Sequence, residues 1–254
     1  MINMIKADLF RMKKSRLLII FLLATIGTYM ISVLTRLPGG ISLGMPVSFS
    51  EDSKLDVRMM GFNFTWYYLM IMPVYMIVTA DFGEKTIKNT ISSAISRKKY
   101  FMVKYFSALI FNTVVFLLVN VLFWLVNSAV NGSKYSTDFG GFIKIVLYQL
   151  PVIAAITCFF ILIAFLVKRT AAFNALTIIL PLGFTLVALT MYGIKATKAF
   201  AEKTVLKYEL GYMLNQIAKN EDRTYINVCM LMGAAVILLT FMSGYHIFTK
   251  KEID

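Results

Sequence analysis

LLIIFLLATIGTYMISVLT, residues 17–35, is an unbroken apolar run as long as a membrane-spanning helix needs. A helix that crosses the hydrocarbon core has about 20 apolar residues, because lipid offers no partner for backbone N–H and C=O groups. Five more such stretches follow, at residues 61–80, 101–127, 142–167, 171–194 and 225–249. We therefore predict an all-α membrane protein with six transmembrane helices, in which residues 1–254 form a single transmembrane domain.

The composition supports this class and excludes others. The chain is 59% hydrophobic and 15% charged, whereas a soluble domain is about 45–50% apolar. The net charge of +13 does not indicate nucleic-acid binding, because the basic residues flank apolar runs and form no continuous stripe or RNA-binding motif. Cys158 and Cys229 each lie inside an apolar run without CxxC spacing, so we expect buried thiols and neither a zinc site nor a disulfide.

Lysine and arginine predict the orientation, since short cytoplasmic segments carry an excess of them. With the N-terminus inside, the inner segments hold fifteen basic and five acidic residues, and the outer segments hold eleven and eight. An even number of spans then places both termini in the cytoplasm. Lys104 and Lys144 lie near span ends, where we expect their side chains to reach the headgroups.

Motifs for independent energy coupling or catalysis are missing from the sequence. No charged residue lies in the middle of a predicted span, so the chain shows no proton- or ion-coupling group. It contains no GxxxxGK[ST] motif, so we expect no ATP site of its own and no bound cofactor. The single histidine, His246, excludes an HExxH zinc site, and no GxSxG surrounds Ser243. We predict a protein that is not an enzyme.

Uncharged polar residues and prolines interrupt the apolar spans. Polar side chains in lipid usually bond neighbouring helices, and contact with a substrate is the alternative. Proline frees a carbonyl that neighbours must satisfy, which predicts kinked helices. The polar residues are Asn63, Asn112, Asn120, Asn127, Gln149, Asn174 and Asn227, and the prolines are Pro73, Pro151 and Pro181.

Three segments outside the spans have helical amphipathic patterns. Residues 84–98 carry the stripe Ile87, Ile91, Ala94 and Ile95, which predicts a short helix across the inner membrane face. Before it, Asp81 and Glu84 have the spacing of a helix cap, and Gly83 permits a tight exit from the second span. Residues 1–16 predict an interfacial elbow helix with Ile2, Ile5, Leu9 and Met12 on its apolar face. In the outer loop 195–224, the stripe Leu206, Leu210, Met213, Leu214 and Ile217 predicts external helices.

Anionic lipid or a soluble partner could hold the segment 84–98, and a family resemblance favours the partner. The stretch is similar to the segment between the second and third spans of type 2 ABC exporter permeases. The matching positions are Asp81, Gly83, Glu84, Thr86, Lys88, Asn89, Ser96, Arg97 and Lys104. The chain departs from the family pattern at Ala94, where proline is common, and Gly83 is displaced from its usual place beside the threonine.

This resemblance implies partners and a mechanism. The segment 84–98 would be a coupling helix that docks on a separate ABC ATPase, and Asp81, Gly83, Glu84, Thr86, Lys88, Asn89, Ser96 and Arg97 would serve that coupling. Two permease subunits, identical or different, would assemble with two ATPases, which hold the ATP and magnesium. Membrane lipids and a peptide substrate complete the expected partners, and nucleic acid is not among them.

The resemblance is strongest to the bacterial peptide-export and peptide-immunity group. It implies a protein of the bacterial cytoplasmic membrane that moves amphipathic or hydrophobic peptides, such as toxins or antimicrobial peptides, outward. Export of a polysaccharide, a lipid-linked glycan or a small hydrophobic drug on the same fold is an alternative. A membrane scaffold or sensor subunit without transport is another alternative. A channel is disfavoured, because the sequence shows no rings of charged residues.

Overall fold

The computed structural model describes residues 2–35, 70–83, 87, 95–131, 138–219 and 222–250, and these ranges contain helices and no strand. We number the helices in chain order: α1 Ile2–Lys14, α2 Arg16–Thr35, α3 Met70–Gly83, α4 Arg97–Asn131, α5 Phe139–Val167, α6 Thr170–Gly193, α7 Lys195–Phe200, α8 Leu210–Lys219 and α9 Arg223–Lys250.

The predicted all-α membrane class is confirmed. Among the described residues, four helices are long and apolar enough to cross a membrane: Arg97–Val130, Phe139–Val167, Thr170–Gly193 and Arg223–Lys250. They coincide with the last four predicted spans. Two shorter apolar helices, Arg16–Gly27 and Met70–Gly83, coincide with parts of the first two. The total of six spans and their orientation therefore stay predictions.

Helix α5 is the centre of the bundle and packs against α3, α4, α6, α8 and α9. Its closest neighbour is α9, where Gly233 faces Pro151 near the middle of α5. A Cβ added at Gly233 would lie 2.8 Å from the carbonyl carbon and oxygen of Pro151. Small side chains permit such close packing of helices in lipid, where van der Waals contact replaces the hydrophobic effect between helices.

An aromatic cluster joins α4, α5 and α9 at one end of the bundle. The ring centroids of Phe101 and Phe165 are 4.8 Å apart, those of Phe165 and Phe248 are 4.8 Å apart, and Tyr100 stacks on Phe248 at 5.8 Å. The start of α4 and the ends of α5 and α9 therefore meet, and α1 packs there against α4. We call this the basic end, because the segments that meet there include those predicted to be rich in lysine and arginine.

Helix α8 packs on α5 toward the opposite end. Its residues Met213, Leu214 and Ile217 are buried, as the stripe in the outer loop predicts. Gln149 Nε2 of α5 donates a hydrogen bond to Leu214 O at 3.0 Å. The carboxylate of Glu209 accepts from the first amides of α8, including Gly211 N at 2.8 Å. Helix α8 is thus held on the bundle by its apolar face and by the hydrogen bond from Gln149, while Glu209 caps its N-terminus.

Polar side chains within the spans have different roles. Asn112 of α4 donates to Met70 O at 3.3 Å and to Thr157 Oγ1 at 3.2 Å, so it joins three helices. Asn120 bonds its own helix, at Phe116 O, while Asn174 and Asn227 are exposed on the chain and Asn63 lies outside the described residues. Both cysteines are buried thiols, as predicted.

Candidate functional site

A buried ion cluster lies at the basic end, where α1, α3 and α4 meet. Lys104 of α4 places Nζ 2.5 Å from Asp8 Oδ1 of α1 and 2.7 Å from Asp81 Oδ2 of α3. The Lys104 side chain is only 4% exposed. The expectation that it extends to the headgroups is therefore wrong, because two carboxylates from other helices hold the ammonium inside the protein.

Arg11 and Tyr100 complete the cluster. Arg11 Nη1 of α1 bonds Asp81 Oδ1, and Tyr100 Oη donates to Asp81 Oδ2 at 2.7 Å. Asp81 thus receives bonds from α1 and from two positions of α4. Two carboxylates and two cations leave these four charged groups with no formal net charge, which suits a site largely removed from water.

Arg11 also contacts an irregular turn of α3. Residues Tyr75–Thr79 form a π-helical stretch, in which the N–H of Ala80 bonds the carbonyl of Tyr75. Arg11 Nη2 donates to Met76 O at 3.2 Å within this stretch. A π-helical turn is wider than an α-helical one and is frequent at functional sites. Here it brings backbone carbonyls within reach of a cation on α1.

The two carboxylates differ in their affinity for a proton. Burial raises the pKa of Asp8 above its ordinary value, more than the neighbouring Lys104 lowers it. Burial also opposes ionisation of Asp81, but the charge and hydrogen bond of Lys104, with bonds from Tyr100 and Arg11, hold the pKa of Asp81 below its ordinary value. Asp8 Oδ2 is buried without a hydrogen-bond partner. Asp81 is therefore the anion around which the cluster forms, and Asp8 is its less stabilised partner.

The structure places four of the eight predicted coupling residues: Asp81, Gly83, Ser96 and Arg97. Asp81 lies within α3, and its side chain belongs to the ion cluster. Ser96 caps α4, since its Oγ accepts a bond from Lys99 N at 3.3 Å. Arg97 is the first residue of α4. The other four, Glu84, Thr86, Lys88 and Asn89, lie outside the described residues.

Gly83 has a steric role at the end of α3, and the predicted tight exit after it lies outside the described residues. It ends α3, and a Cβ added there would lie 2.6 Å from Thr170 Oγ1, at the first turn of α6. The glycine thus permits close approach of α3 and α6. Beside this contact, a cleft of about 290 Å³ is lined by Arg11, Met12, Ser15, Leu17, Tyr75, Met76, Ala80, Gly83 and Thr170. Small-molecule pockets have about 300–1,000 Å³, so the cleft is too small to hold a peptide.

The ion cluster joins the residues on either side of the segment 84–98, which is the predicted coupling helix. Asp81 precedes this segment, Tyr100 and Lys104 lie at or after its end, and the Asp81 carboxylate bonds both of their side chains. Two described residues of the predicted amphipathic stripe also pack inward: Ile87 is 3% exposed, and Ile95 contacts the core. The arrangement forms a fixed base for residues 84–98, with α1 attached to it.

Sequence reasoning missed Asp8, Arg11 and Tyr100 as members of the site. Two signals were available in the sequence. Asp8 and Arg11 have the spacing of neighbours on one helix face, and Lys104 is an isolated lysine in an apolar run. No three His, Cys, Asp or Glu side chains come together as metal ligands within the described ranges.

Comparisons with known proteins leave the family of the chain open. A scan of the sequence against protein-family models finds no match, and a search of curated proteins finds no similar sequence.

Proposed function

We propose that this chain is the transmembrane subunit of an ATP-driven ABC exporter that moves amphipathic or hydrophobic peptides outward. Residues 84–98 would be its coupling helix, docked on a separate ATPase that holds ATP and magnesium. Two permease chains and two ATPases would form the complex, in the bacterial cytoplasmic membrane with both permease termini in the cytoplasm. The proposal rests on the sequence resemblance at Asp81–Arg97 and on the geometry of the ion cluster.

The single observation that supports coupling best is the fixed base of the segment. Force on residues 84–98 moves the bundle only if the ends of the segment are held firmly in it. Asp81 at one end is bonded to Tyr100 and Lys104 at the other. Breaking a buried ion pair costs about 3–5 kcal/mol, so a push on the segment would move α1, α3 and α4 together rather than separate them.

The distribution of charge supports an external motor. In the four spanning helices, charged side chains lie no more than eight residues from a helix end. A proton- or ion-coupled pump needs ionisable groups along its path through the membrane. The described spans have none at mid-depth, and this favours work supplied by a partner over ion-driven transport.

The class of cargo follows from the resemblance alone. The exposed faces of the spanning helices are apolar, for example at Leu118, Ile179 and Leu231. Such surfaces suit lipid tails and an apolar cargo equally. Export of a glycan or a small hydrophobic drug is the alternative on the same fold, and a scaffold or sensor without transport is the alternative in another class.

The decisive experiment is co-purification followed by charge reversal. The tagged chain is isolated from its native membrane, and the accompanying proteins are identified by mass spectrometry. Glu84→Lys and Arg97→Glu are then tested for ATPase assembly and for peptide-stimulated ATP hydrolysis. Arg223→Glu is the matched control, because Arg223 also begins a spanning helix but lies at the opposite end of the bundle.

We expect an ATPase to co-purify, and we expect the first two variants to lose assembly or stimulation while Arg223→Glu retains both. Assembly, hydrolysis and export that survive both reversals would refute docking through this segment. An ATPase complex without stimulation by any peptide would favour a different cargo, and absence of an ATPase would favour the scaffold.

A further inference from the structure

We infer that the outward face of α1, formed by Lys6, Leu9, Phe10, Lys13 and Lys14, binds anionic phospholipid at the basic end of the bundle. This inference goes beyond the proposed function and does not depend on an ATPase. The lipid-facing side of α1 in the structure differs from the side that the sequence pattern predicts. The residues expected to face lipid were Ile2, Ile5, Leu9 and Met12.

The ion cluster determines the rotation of α1. Asp8 and Arg11 bond Lys104 and Asp81, and Met12 is buried at 2% exposure. Because an α-helix has 3.6 residues per turn, turning residues 8, 11 and 12 inward turns residues 6, 10, 13 and 14 outward. Met12 therefore belongs to the protein core, which corrects its predicted place on the lipid side.

The outward face combines cations with large apolar side chains. Phe10 is 60% exposed and Leu9 is 44% exposed, and the ammonium of Lys14 lies 4.6 Å from the centre of the Phe10 ring. Lys6 and Lys13 are also exposed. The only acidic residue of α1 is Asp8, and it is turned inward onto Lys104. The face thus has positive charge with no acidic residue of α1 beside it.

The position of α1 relative to α2 places this face at the membrane boundary. A single residue, Ser15, separates the two helices, and Ser15 Oγ caps α2 by accepting a bond from Leu17 N at 3.2 Å. Helix α2 exposes Ile19, Ile20 and Leu23 in its first turns, and these side chains require hydrocarbon. The α1–α2 junction is therefore at the depth of the headgroups, where amphipathic helices insert apolar groups between lipids and cations meet anionic phosphate.

Anionic lipid fits this face better than zwitterionic lipid does. Each lysine near an anionic leaflet adds attraction that falls off within a Debye length, while Leu9 and Phe10 supply apolar contact that does not discriminate between headgroups. The charge preference is therefore expected to depend on Lys6, Lys13 and Lys14 and to weaken in high salt.

Lipid selectivity at position 10 is measurable by fluorescence quenching. The reporter is Phe10→Trp, with the two native tryptophans replaced as Trp66→Phe and Trp124→Phe. The full chain is reconstituted without any ATPase in vesicles of phosphatidylcholine and phosphatidylglycerol. Either one lipid or the other carries brominated acyl chains, which quench a tryptophan only on contact. Quenching is compared at equal mole fractions of the brominated lipid, at low salt and at high salt.

We expect brominated phosphatidylglycerol to quench more strongly than brominated phosphatidylcholine at low salt. The difference should disappear in the variant Lys6→Gln/Lys13→Gln/Lys14→Gln and in high salt. It should persist in the matched control Lys195→Gln/Lys198→Gln/Lys203→Gln, which removes three exposed lysines near the other end of the bundle. Equal quenching by both lipids in the starting protein, no quenching by either, or a preference that survives loss of the three α1 lysines would overturn the inference. None of these outcomes bears on the ATPase experiment.

Discussion

Replacing Lys104 by methionine is the sharpest test of the ion cluster, because it removes one charge and keeps most of the side-chain volume. Lys104 Nζ lies 2.5 Å from Asp8 Oδ1 and 2.7 Å from Asp81 Oδ2 in a nearly dry site. In Lys104→Met, two buried carboxylates keep Arg11 as their cationic partner within the part of the chain that the structure describes. Removing one partner of a buried pair costs about 3–5 kcal/mol. We expect the free energy of unfolding to fall by that amount.

A second substitution tests whether charge is the cause. Asp8 is the carboxylate whose pKa burial raises, so Asp8→Asn in the Lys104→Met background removes the poorly stabilised charge and leaves Asp81 with Arg11. We expect this double variant to recover about half or more of the lost stability, because the buried charges again balance. Lys99→Met, at an exposed position of the same helix, should stay within about 0.5 kcal/mol of the starting protein.

Unfolding in mixed micelles of sodium dodecyl sulfate and a mild detergent, followed by circular dichroism, measures these differences. A loss below about 1 kcal/mol in Lys104→Met would show that the site is wet and the ions are weakly coupled, since exposed pairs contribute about 0–1 kcal/mol. A double variant no more stable than Lys104→Met would show that lost packing, and not unbalanced charge, is the cause. Either result would refute the reasoning about the cluster.

Three further predictions concern close contacts and pH. Gly83→Ala should lower the free energy of unfolding by about 1 kcal/mol through overpacking, because the new Cβ would lie 2.6 Å from Thr170 Oγ1. Adding Thr170→Ala should relieve this loss, and a double variant no more stable than Gly83→Ala would disprove the contact. Gly233→Ala should cost more, about 3 kcal/mol, since its Cβ would lie 2.8 Å from backbone atoms of α5 that cannot rotate away. The control for both is Gly193→Ala, with nothing within 4 Å, and equal unfolding midpoints for Gly233→Ala and the control would contradict the close packing. The pKa of Asp8 is raised in the folded state, so its contribution to stability is complete below the ordinary value of 3.8 and is lost as pH rises through the folded value. Unfolding curves recorded at successive pH values above 3.8 should show this decline, and Asp8→Asn should lack it.

The ion cluster joins the two ends of the proposed coupling segment, whatever the conformation of the segment itself. Whatever residues 84–98 contact, their two ends are joined through Asp81 to Tyr100 and Lys104. Asp8 and Arg11 attach α1 to the same cluster, so a movement of the segment would be coupled to a movement of the N-terminal helix. A lipid-binding α1 would therefore act on the same base that a docked ATPase would push.

Several features were readable from the sequence because they depend on local patterns. Long apolar runs predicted the four spanning helices, since only a helix satisfies its own backbone in lipid. The stripe Met213, Leu214 and Ile217 predicted a helix buried on one side, and the structure buries those residues in α8. Both cysteines were expected to be buried from their apolar surroundings, and they are.

Other features required the tertiary structure, because they depend on residues far apart in the chain. Asp8 and Lys104 are separated by 96 positions, and no local pattern shows that they bond. The position of Lys104 near a helix end suggested a side chain that reaches for water, and only the arrival of two carboxylates from α1 and α3 reverses that outcome. The close approach of Gly83 to Thr170 is another such feature, because these two residues are far apart in the chain.

The amino-acid sequence by itself determined that this chain is helical and lies in a membrane, because hydrophobicity and backbone hydrogen bonding act along a single segment. The tertiary structure alone decided which charged side chains are buried together and which face of α1 is turned outward. Charge pairing acts through space over a few ångströms, so its partners are known only when the helices have packed.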